Sequence, residues 1–390
     1  VGVAFYLLLG FRAFLRNKGW FEQNQIALPN LAELLDIVAL GTVADVVKLD
    51  PNNRILVHQG LARIKSGQCR PGIRALLAMS NKDLSKVTSA DFGFVIGPRL
   101  NAAGRLDDMS YGIRCLLEED YGQALRMAED LNDLNNERKD IEQSMRTDAE
   151  QIVNQLTLAE QQVPNGLCVY KSDWHQGVIG IVAGRLKEKF YRPTIAFAQG
   201  EEKQGQRELK GSARSIPGIH IRDLLDEVNT QNPGVILKFG GHAMAAGLSI
   251  HESKLADFER AFNEVLGRHL TPDVLTQVIL TDGELPDECF SIEFCHQLDQ
   301  AGPWGQGFAE PTFDGEFEVI KQRIVGNKHL KLVLCNQSGQ VLDGIHFNAD
   351  LSVWPNNAIG RVQAVYQLDI NEFRGNTSVQ LLIRELAPIL

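Results

Sequence analysis

The sequence predicts a mixed α/β chain built in series: part of a parallel-sheet domain, a long connecting helix, a second α/β domain and a small β-barrel. Three observations predict it. The run IVALGTVADVV, residues 37–47, is apolar and β-branched in the manner of a strand buried on both faces. From Gln123 up to Pro164 the chain holds neither glycine nor proline, and Met127, Leu131, Leu134, Ile141, Met145 and Ile152 recur at helical spacing. After LTPDVL, residues 270–275, the texture changes to short alternating runs punctuated by turn residues.

The first stretch, VGVAFYLLLGFRAFL, is apolar from Val1 and lacks the basic start of a signal peptide. Arg12 interrupts it well short of the roughly 20 apolar residues a membrane span needs. It reads as a core helix entered partway along, which implies that an N-terminal part of the protein lies outside this chain. Residues 31–50 read as a helix end, a buried strand and a turn, with Asp36 at the helix end and Asp45 at the carboxyl end of the strand. Residues 1–122 make up this first domain. Residues 123–161 form one amphipathic helix, which at ~1.5 Å per residue spans roughly 50 Å and bridges domains.

Residues 162–272 form the second α/β domain. A strand at 167–170, a loop, a helix at 178–190 and a strand at 194–197 make a βαβ-type unit. GSARSIPGIHIRDLL supplies a strand end, a turn and a helix. KFGGHAMAAG, residues 238–247, reads as a tight turn in which Ala243, Ala245 and Ala246 open a helix, and a further helix at 253–270 closes the domain. Residues 273–390 hold five or six short strands, which suits an OB-like barrel.

The chain has 390 residues, 44% hydrophobic and 23% charged, with a net charge of -10. A purely electrostatic nucleic-acid binder would be basic. Binding to nucleic acid therefore requires that Arg99, Arg105, Arg185 and Arg214 face one groove while acids cover the rest. None of the six cysteines forms a CxxC pair, which argues against a zinc site and fits a reduced cytoplasmic setting.

Five motifs could carry chemistry, and each has a plainer reading. Asp45 offers a hard carboxylate for Mg²⁺ or Mn²⁺, or it caps a turn. In GPRLNAAGRLDD, Arg99 and Arg105 flank Asn101 and two alanines; guanidinium forks suit phosphate oxygens, yet a solvated loop would look the same. His175, in SDWHQGVIG, sits where a helix N-terminus favours anions, with Ser172 or Asp173 as the alternative, a simple cap. Ser212 and Arg214 in KGSARS lie two apart on a strand, so both face one side and suit a terminal phosphate, or they end a polar strand. Gly240, Gly241 and His242 form either a tight turn or a concavity for an anion.

In this order GTVADVV, GPRLNAAGRL, WHQGVIGIVAGRL, GSARS and GGHAMAAG, with GPWGQGFAEPTF ahead of the barrel, resemble the C-terminal motifs of the RecJ family. These are single-strand-specific DNA exonucleases of the DHH phosphoesterase superfamily. The resemblance runs through nearly all of the chain. GGHAMAAG alone points only to the DHH-associated domain shared with oligoribonuclease-like phosphodiesterases and alanyl-tRNA synthetases; GPRLNAAGRL and the barrel narrow it. The fold implied is a remnant of a DHH domain, the connecting helix, a DHH-associated domain and the OB-like barrel.

The resemblance implies that the whole enzyme hydrolyses single-stranded DNA from its 5′ end to mononucleotides, in DNA repair and recombination. It implies Mn²⁺ or Mg²⁺ held by aspartates and a DHH histidine pair, and a single-strand-binding protein and a helicase as partners, with no membrane. Carried onto this chain, Asp45 is a late metal-binding aspartate, and the loop with Arg99, Asn101 and Arg105 lines the path to the metals. Ser212 and Arg214 hold the 5′ phosphate, and Gly240, Gly241 and His242 belong to the substrate domain's glycine–histidine motif. No DHH triplet or DxD-type motif occurs, and the nine histidines lie apart. One aspartate without its earlier companions is not expected to hold two metals, so the chain as it stands is expected to be inactive. Two rival readings remain: a phosphodiesterase acting on short RNAs or cyclic dinucleotides, for which the barrel would be superfluous, and a non-catalytic DNA-binding scaffold.

Overall fold

The apolar run ahead of Asp45 folds as a helix, which corrects the strand expected there. Leu35–Ala44 is hydrophobic on every side, so neither a period of two nor one of 3.6 is written into it. A helix apolar all round is stable when buried, and tertiary packing overrides β-branched preference. Val38, Ala39, Leu40 and Thr42 are buried, and the Thr42 hydroxyl donates to the Val38 carbonyl at 2.7 Å.

The computed structural model describes residues 1–160, 163–203, 205–373 and 375–389. They divide into two units, one made of residues 1–69, 82–97 and 279–390, the other of residues 70–81 and 98–278. Among the described residues before Leu167, all regular structure is helical.

The first unit opens with α1 (Gly2–Asn17), α2 (Leu35–Ala44) and α3 (Pro51–Lys65). Helix α1 is present but is not the core helix expected. Only Phe5 is buried, while Val3, Leu7, Phe11 and Phe14 are exposed. Asp50 caps α3 by accepting from the Asn53 N–H at 2.8 Å, with Pro51 in the first turn, where a missing N–H costs nothing. Helices α2 and α3 touch almost backbone to backbone: a Cβ at Gly60 would sit 2.3 Å from the Leu35 carbonyl oxygen.

The GPWGQGF motif belongs to this unit as a packing junction. Phe308 stacks on Trp304 at 4.9 Å, the Arg54 guanidinium lies 3.6 Å above the Phe308 ring, and the Leu49 N–H donates to the Gln306 carbonyl at 2.7 Å. The barrel follows, in five strands as expected.

The second unit begins with α4 (Pro71–Ala78), α5 (Gly97–Leu106, from Pro98 onward), α6 (Ser110–Leu117) and the long helix α7 (Tyr121–Glu160). The last residue of the sequence-predicted helix, Gln161, lies outside the described residues. Among the described side chains of α7, Ala124, Ala128, Leu131, Met145, Ala149 and Val153 are the buried apolar ones. GPRLNAAGRL, expected as a loop, is the helix α5. Five residues of π-helix, Phe92–Ile96, precede it, and this wide turn sits where Pro98 cannot donate a hydrogen bond.

A five-stranded sheet follows: β1 (Leu167–Tyr170), β2 (Thr194–Lys203), β3 (Gln206–Arg214), β4 (Lys238–Gly241) and β5 (Ala245–His251), in the order β1-β2-β3-β5-β4. Among the described residues of this sheet, only β1 and β2 pair in parallel. Helix α8 (Ile179–Phe190) packs on β2 and β3. Helices α9 (Ile221–Gln231) and α10 (Leu255–His269) bury the apolar side formed by Ile195, Phe197, Leu209, Ala213 and Leu248 against Leu225, Phe258 and Phe262. GGHAMAAG is not a helix start. It is the β4–β5 hairpin, closed by the His242 N–H donating to the Ala245 carbonyl at 2.8 Å. Gly241 has φ +153°, and a Cβ there would lie 2.4 Å from the Ala245 carbonyl oxygen, so the glycine serves a strand pairing and not a helix cap.

In the first unit, helix α11 (Ile292–Ala301) leads to β6 (Phe313–Val325), β7 (His329–Cys335), β8 (Val341–His346), β9 (Arg361–Phe373) and β10 (Asn376–Pro388). They close a barrel in the order β10-β8-β7-β6-β9, with β8 and β10 parallel. Inward and outward residues alternate along β6 and β7, as the sequence pattern requires.

Candidate functional site, a cationic cleft on the sheet of the second unit

Period-two geometry on β3 sends Leu209, Gly211 and Ala213 into the core and leaves Lys210, Ser212 and Arg214 on the other face. Arg214 Nη1 donates to Ser212 Oγ at 3.0 Å and to the Ala213 carbonyl at 2.8 Å. Across the sheet, Ser212 pairs with Gly247 and Gly247 with Gly240. Gly240 and Gly247 are exposed, and a Cβ at Gly240 would meet nothing within 4 Å. This row gives a floor of bare backbone beside the cationic side chains.

Helix α5 supplies the facing wall. Asn101, Gly104 and Arg105 share one side at i, i+3 and i+4 and line the cleft, while Ala102 and Ala103 are fully buried. The alanines therefore serve packing and do not open the wall. Arg105 Nη1 donates to the Gly177 carbonyl at 2.8 Å. Helix α8 closes the third side with Gly180, where a Cβ would fall 2.8 Å from Arg214 Nη2 and 2.9 Å from Ser212 Oγ. The cleft encloses about 720 Å³.

Its electrostatics are those of an anion site. Burial, then the like charge of Arg105, lowers the Arg214 guanidinium from its ordinary value. Burial, then Arg138, does the same for Arg105, with Glu142 acting in the opposite sense. Among the described residues Arg214 bonds only neutral groups, and no carboxylate, imidazole or thiol lines the cleft. Two half-buried cations that repel each other are unfavourable until an anion joins them. The guanidiniums of Arg105 and Arg214 and the Ser212 hydroxyl, all lining the cleft, are donors suited to bind and orient a phosphate.

The other sequence-predicted residues scatter. Arg99 is nearly buried and donates to Asn132 Oδ1 at 3.2 Å. Arg185 pairs with Glu142 at 3.2 Å and Glu188 at 3.4 Å. The single arginine groove is therefore corrected to Arg105 and Arg214. Ser172 and Asp173 do not cap α8; Val178 is its N-cap, without a side-chain bond. His175 is exposed, and its Nδ1 accepts the Gly177 N–H at 3.1 Å. His242 is exposed at the hairpin tip, beside the Ala245 that pairs with Arg214, and is not among the lining residues. Asp45, in the first unit, is an exposed residue at the end of α2 and not at a strand end. Among the described residues no group of three or more His, Cys, Asp or Glu side chains could hold a metal ion.

Sequence reasoning missed Lys210, Gln176 and Gly180. Lys210 was legible, since it continues the alternation through Ser212 and Arg214. Lys210 Nζ donates to Glu208 at 2.6 Å, and Lys210 first, then Ser249, holds that carboxyl down from 4.5 to about 2. A depressed folded-state value stabilises fully above pH ~4.5, and the contribution disappears as pH falls through about 2. Glu208→Gln is expected to lower stability at neutral pH, with the difference from wild type vanishing toward pH ~2. Urea midpoints measured across that range check it, and a difference that persists at the acid end would refute the assignment.

Residues 163–268 match the family model of the DHHA1 domain, and residues 281–385 that of the RecJ OB domain. The single-stranded-DNA-specific exonuclease RecJ of Escherichia coli is 52% identical over the whole chain, which spans 67% of that relative. Crystal structures of RecJ from Thermus thermophilus, in complex with Mg²⁺ and with Mn²⁺, superpose with TM-scores of 0.75 and 0.76 at 25% and 26% identity. They cover 95% of this chain, which spans 54% and 52% of theirs. The chain belongs to the RecJ family of single-stranded-DNA-specific exonucleases.

Proposed function

We propose that the protein of which this chain is a part degrades single-stranded DNA from the 5′ end to mononucleotides with Mn²⁺ or Mg²⁺. In this reading the cleft of the second unit holds the terminal phosphate. The observation that carries it is the pair of half-buried guanidiniums, Arg105 and Arg214, which line one cleft with Ser212 while, among the described residues, no acidic side chain lines it. Residues 1–122 are assigned as DHH-domain remnant, 123–161 as connecting helix, 162–272 as substrate-binding domain and 273–390 as nucleic-acid-binding barrel. Asp45 is assigned as one metal ligand, with Arg99, Asn101, His175 and His242 along the strand's path. A role in repair and recombination, a cytoplasmic location, and a single-strand-binding protein and a helicase as partners belong to the same proposal. Among the described residues no helix is long and apolar enough to cross a membrane.

Fluorescence anisotropy on this chain tests the phosphate reading, with matched 5′-phosphorylated and 5′-hydroxyl oligonucleotides. Wild type is expected to prefer the phosphorylated one. In Gly180→Ala the new Cβ displaces the flexible end of Arg214 while alanine favours the helix by up to ~1 kcal/mol, so the preference should narrow without loss of stability. Equal affinity of wild type for both oligonucleotides would refute the assignment of the terminus. Absence of any binding to single strands would refute the function as a whole.

A further inference from the structure

We infer that the barrel carries a second site, a pocket that accepts the cationic head of an arginine or lysine side chain presented by a partner protein. The pocket encloses about 380 Å³. Phe290, Phe317 and Tyr366 line it together with Glu284, Asp287 and Glu316, and among the described residues no lysine, arginine or histidine does. It opens where β6 carries no side chain. Gly315 lies between Phe313 and Phe317 on the inward side, and a Cβ there would meet only the Phe317 ring at 3.5 and 3.6 Å and Glu284 Oε1 at 3.8 Å.

Tyr366 is an independent sign that the pocket has an occupant. It is 0% exposed, stacked on Phe290 at 6.0 Å and edge-on to Phe317 at 5.6 Å. Its hydroxyl has no hydrogen-bond partner among the described residues. A buried polar atom left unpaired is unfavourable, and native folds leave few of them. Burial first, then the charges of Glu284 and Asp314, raises this phenol above its ordinary value, so it stays a neutral hydroxyl facing negative charge.

The sign of the lining selects the ligand. A phosphodiester strand would be repelled, which separates this pocket from the cleft of the second unit. A bare metal ion lacks a donor set, because no three acidic or metal-ligating side chains among the described residues could hold one. Asp287 already accepts from Asn336 at 2.8 Å and Glu316 pairs with Arg361 at 2.8 Å. Glu284, exposed, makes no ion pair among the described residues and is the carboxylate left for a cation. Aromatic walls favour an organic cation with a flat or alkyl body. A side chain anchored in such a pocket is the common centre of a protein interface, and arginine is prominent among such anchors. This site stands on different residues from the phosphate cleft and does not depend on it.

The test uses the isotopically labelled chain and the amide signals of Gly315 and Phe317, titrated with a short glycine peptide carrying one arginine. The same peptide with neutral citrulline is the control. The arginine peptide should shift both signals saturably, and citrulline should bind at least about tenfold more weakly, the discrimination expected of one charged hydrogen bond. Glu284→Gln should erase the difference between the two peptides. Gly315→Val, which fills the pocket and keeps every charge, should abolish binding of both. Equal binding of citrulline, no saturable shift, or undiminished binding to Gly315→Val would overturn the proposal. A stronger response to spermidine than to the peptide would assign the pocket to a free polyamine, and the same shifts with oligothymidylate would assign it to the DNA path; either result overturns the inference of a protein side chain.

Discussion

Arg214→Ala is expected to weaken binding of a 5′-phosphorylated single-stranded oligonucleotide by about ten- to a hundredfold, and that of its 5′-hydroxyl counterpart far less. The magnitude is that of a charged hydrogen bond, roughly 1.5–3 kcal/mol. Two features place the effect at the terminus. The guanidinium is desolvated and faces Arg105 without an acid to offset it, so the free protein carries strain that a doubly charged terminal phosphate relieves more than a singly charged diester. It is also held by Ser212 Oγ and the Ala213 carbonyl, so its orientation is set before ligand arrives. Anisotropy titrations with both oligonucleotides at two salt concentrations check it. A role in backbone attraction alone would show as equal losses for the two ends and a reduced salt slope.

Much of this architecture was legible because period and spacing were strong. The long helix and the barrel strands carry their periods openly, and the alternation of Lys210, Ser212 and Arg214 fixes which face of β3 they share. The failures have physical causes. At 35–44 the apolar residues lie on every side, so burial, not period, chooses the helix. At 240–247 small residues suit a helix start and a close strand pairing equally, and only the partner strand decides between them. Arg99 and Arg185 look like phosphate ligands by residue type, but Asn132 and Glu142 engage them, and such partners are far away in sequence. The glycine at 180 is visible as a letter, yet its meaning comes from the two side chains it makes room for.

Phe258→Ala is expected to cost about 3–5 kcal/mol, a large loss for the second unit. Phe258 is 0% exposed, edge-on to Phe197 at 5.7 Å and stacked with Phe262 at 5.9 Å. Its removal leaves a cavity between two rings held from opposite sides, a site with little freedom to collapse. For a unit of this size the melting temperature should fall by roughly 6–20 °C. Phe94→Ala is the control: that ring is 84% exposed, and the change should stay within about 0.5 kcal/mol. The comparison also separates core from cleft, because Phe258 packs under the face of β3 opposite to Ser212 and Arg214. The β3–β5 pairing from Glu208 to Arg214 keeps the cleft side chains in register from the backbone. Well below its melting temperature the variant should therefore bind 5′-phosphorylated oligonucleotide within about twofold of wild type, since sites without shared partners act nearly independently. Loss of binding while circular dichroism remains native would show that Arg214 is positioned by the aromatic core beneath the sheet and not by the strand pairing alone.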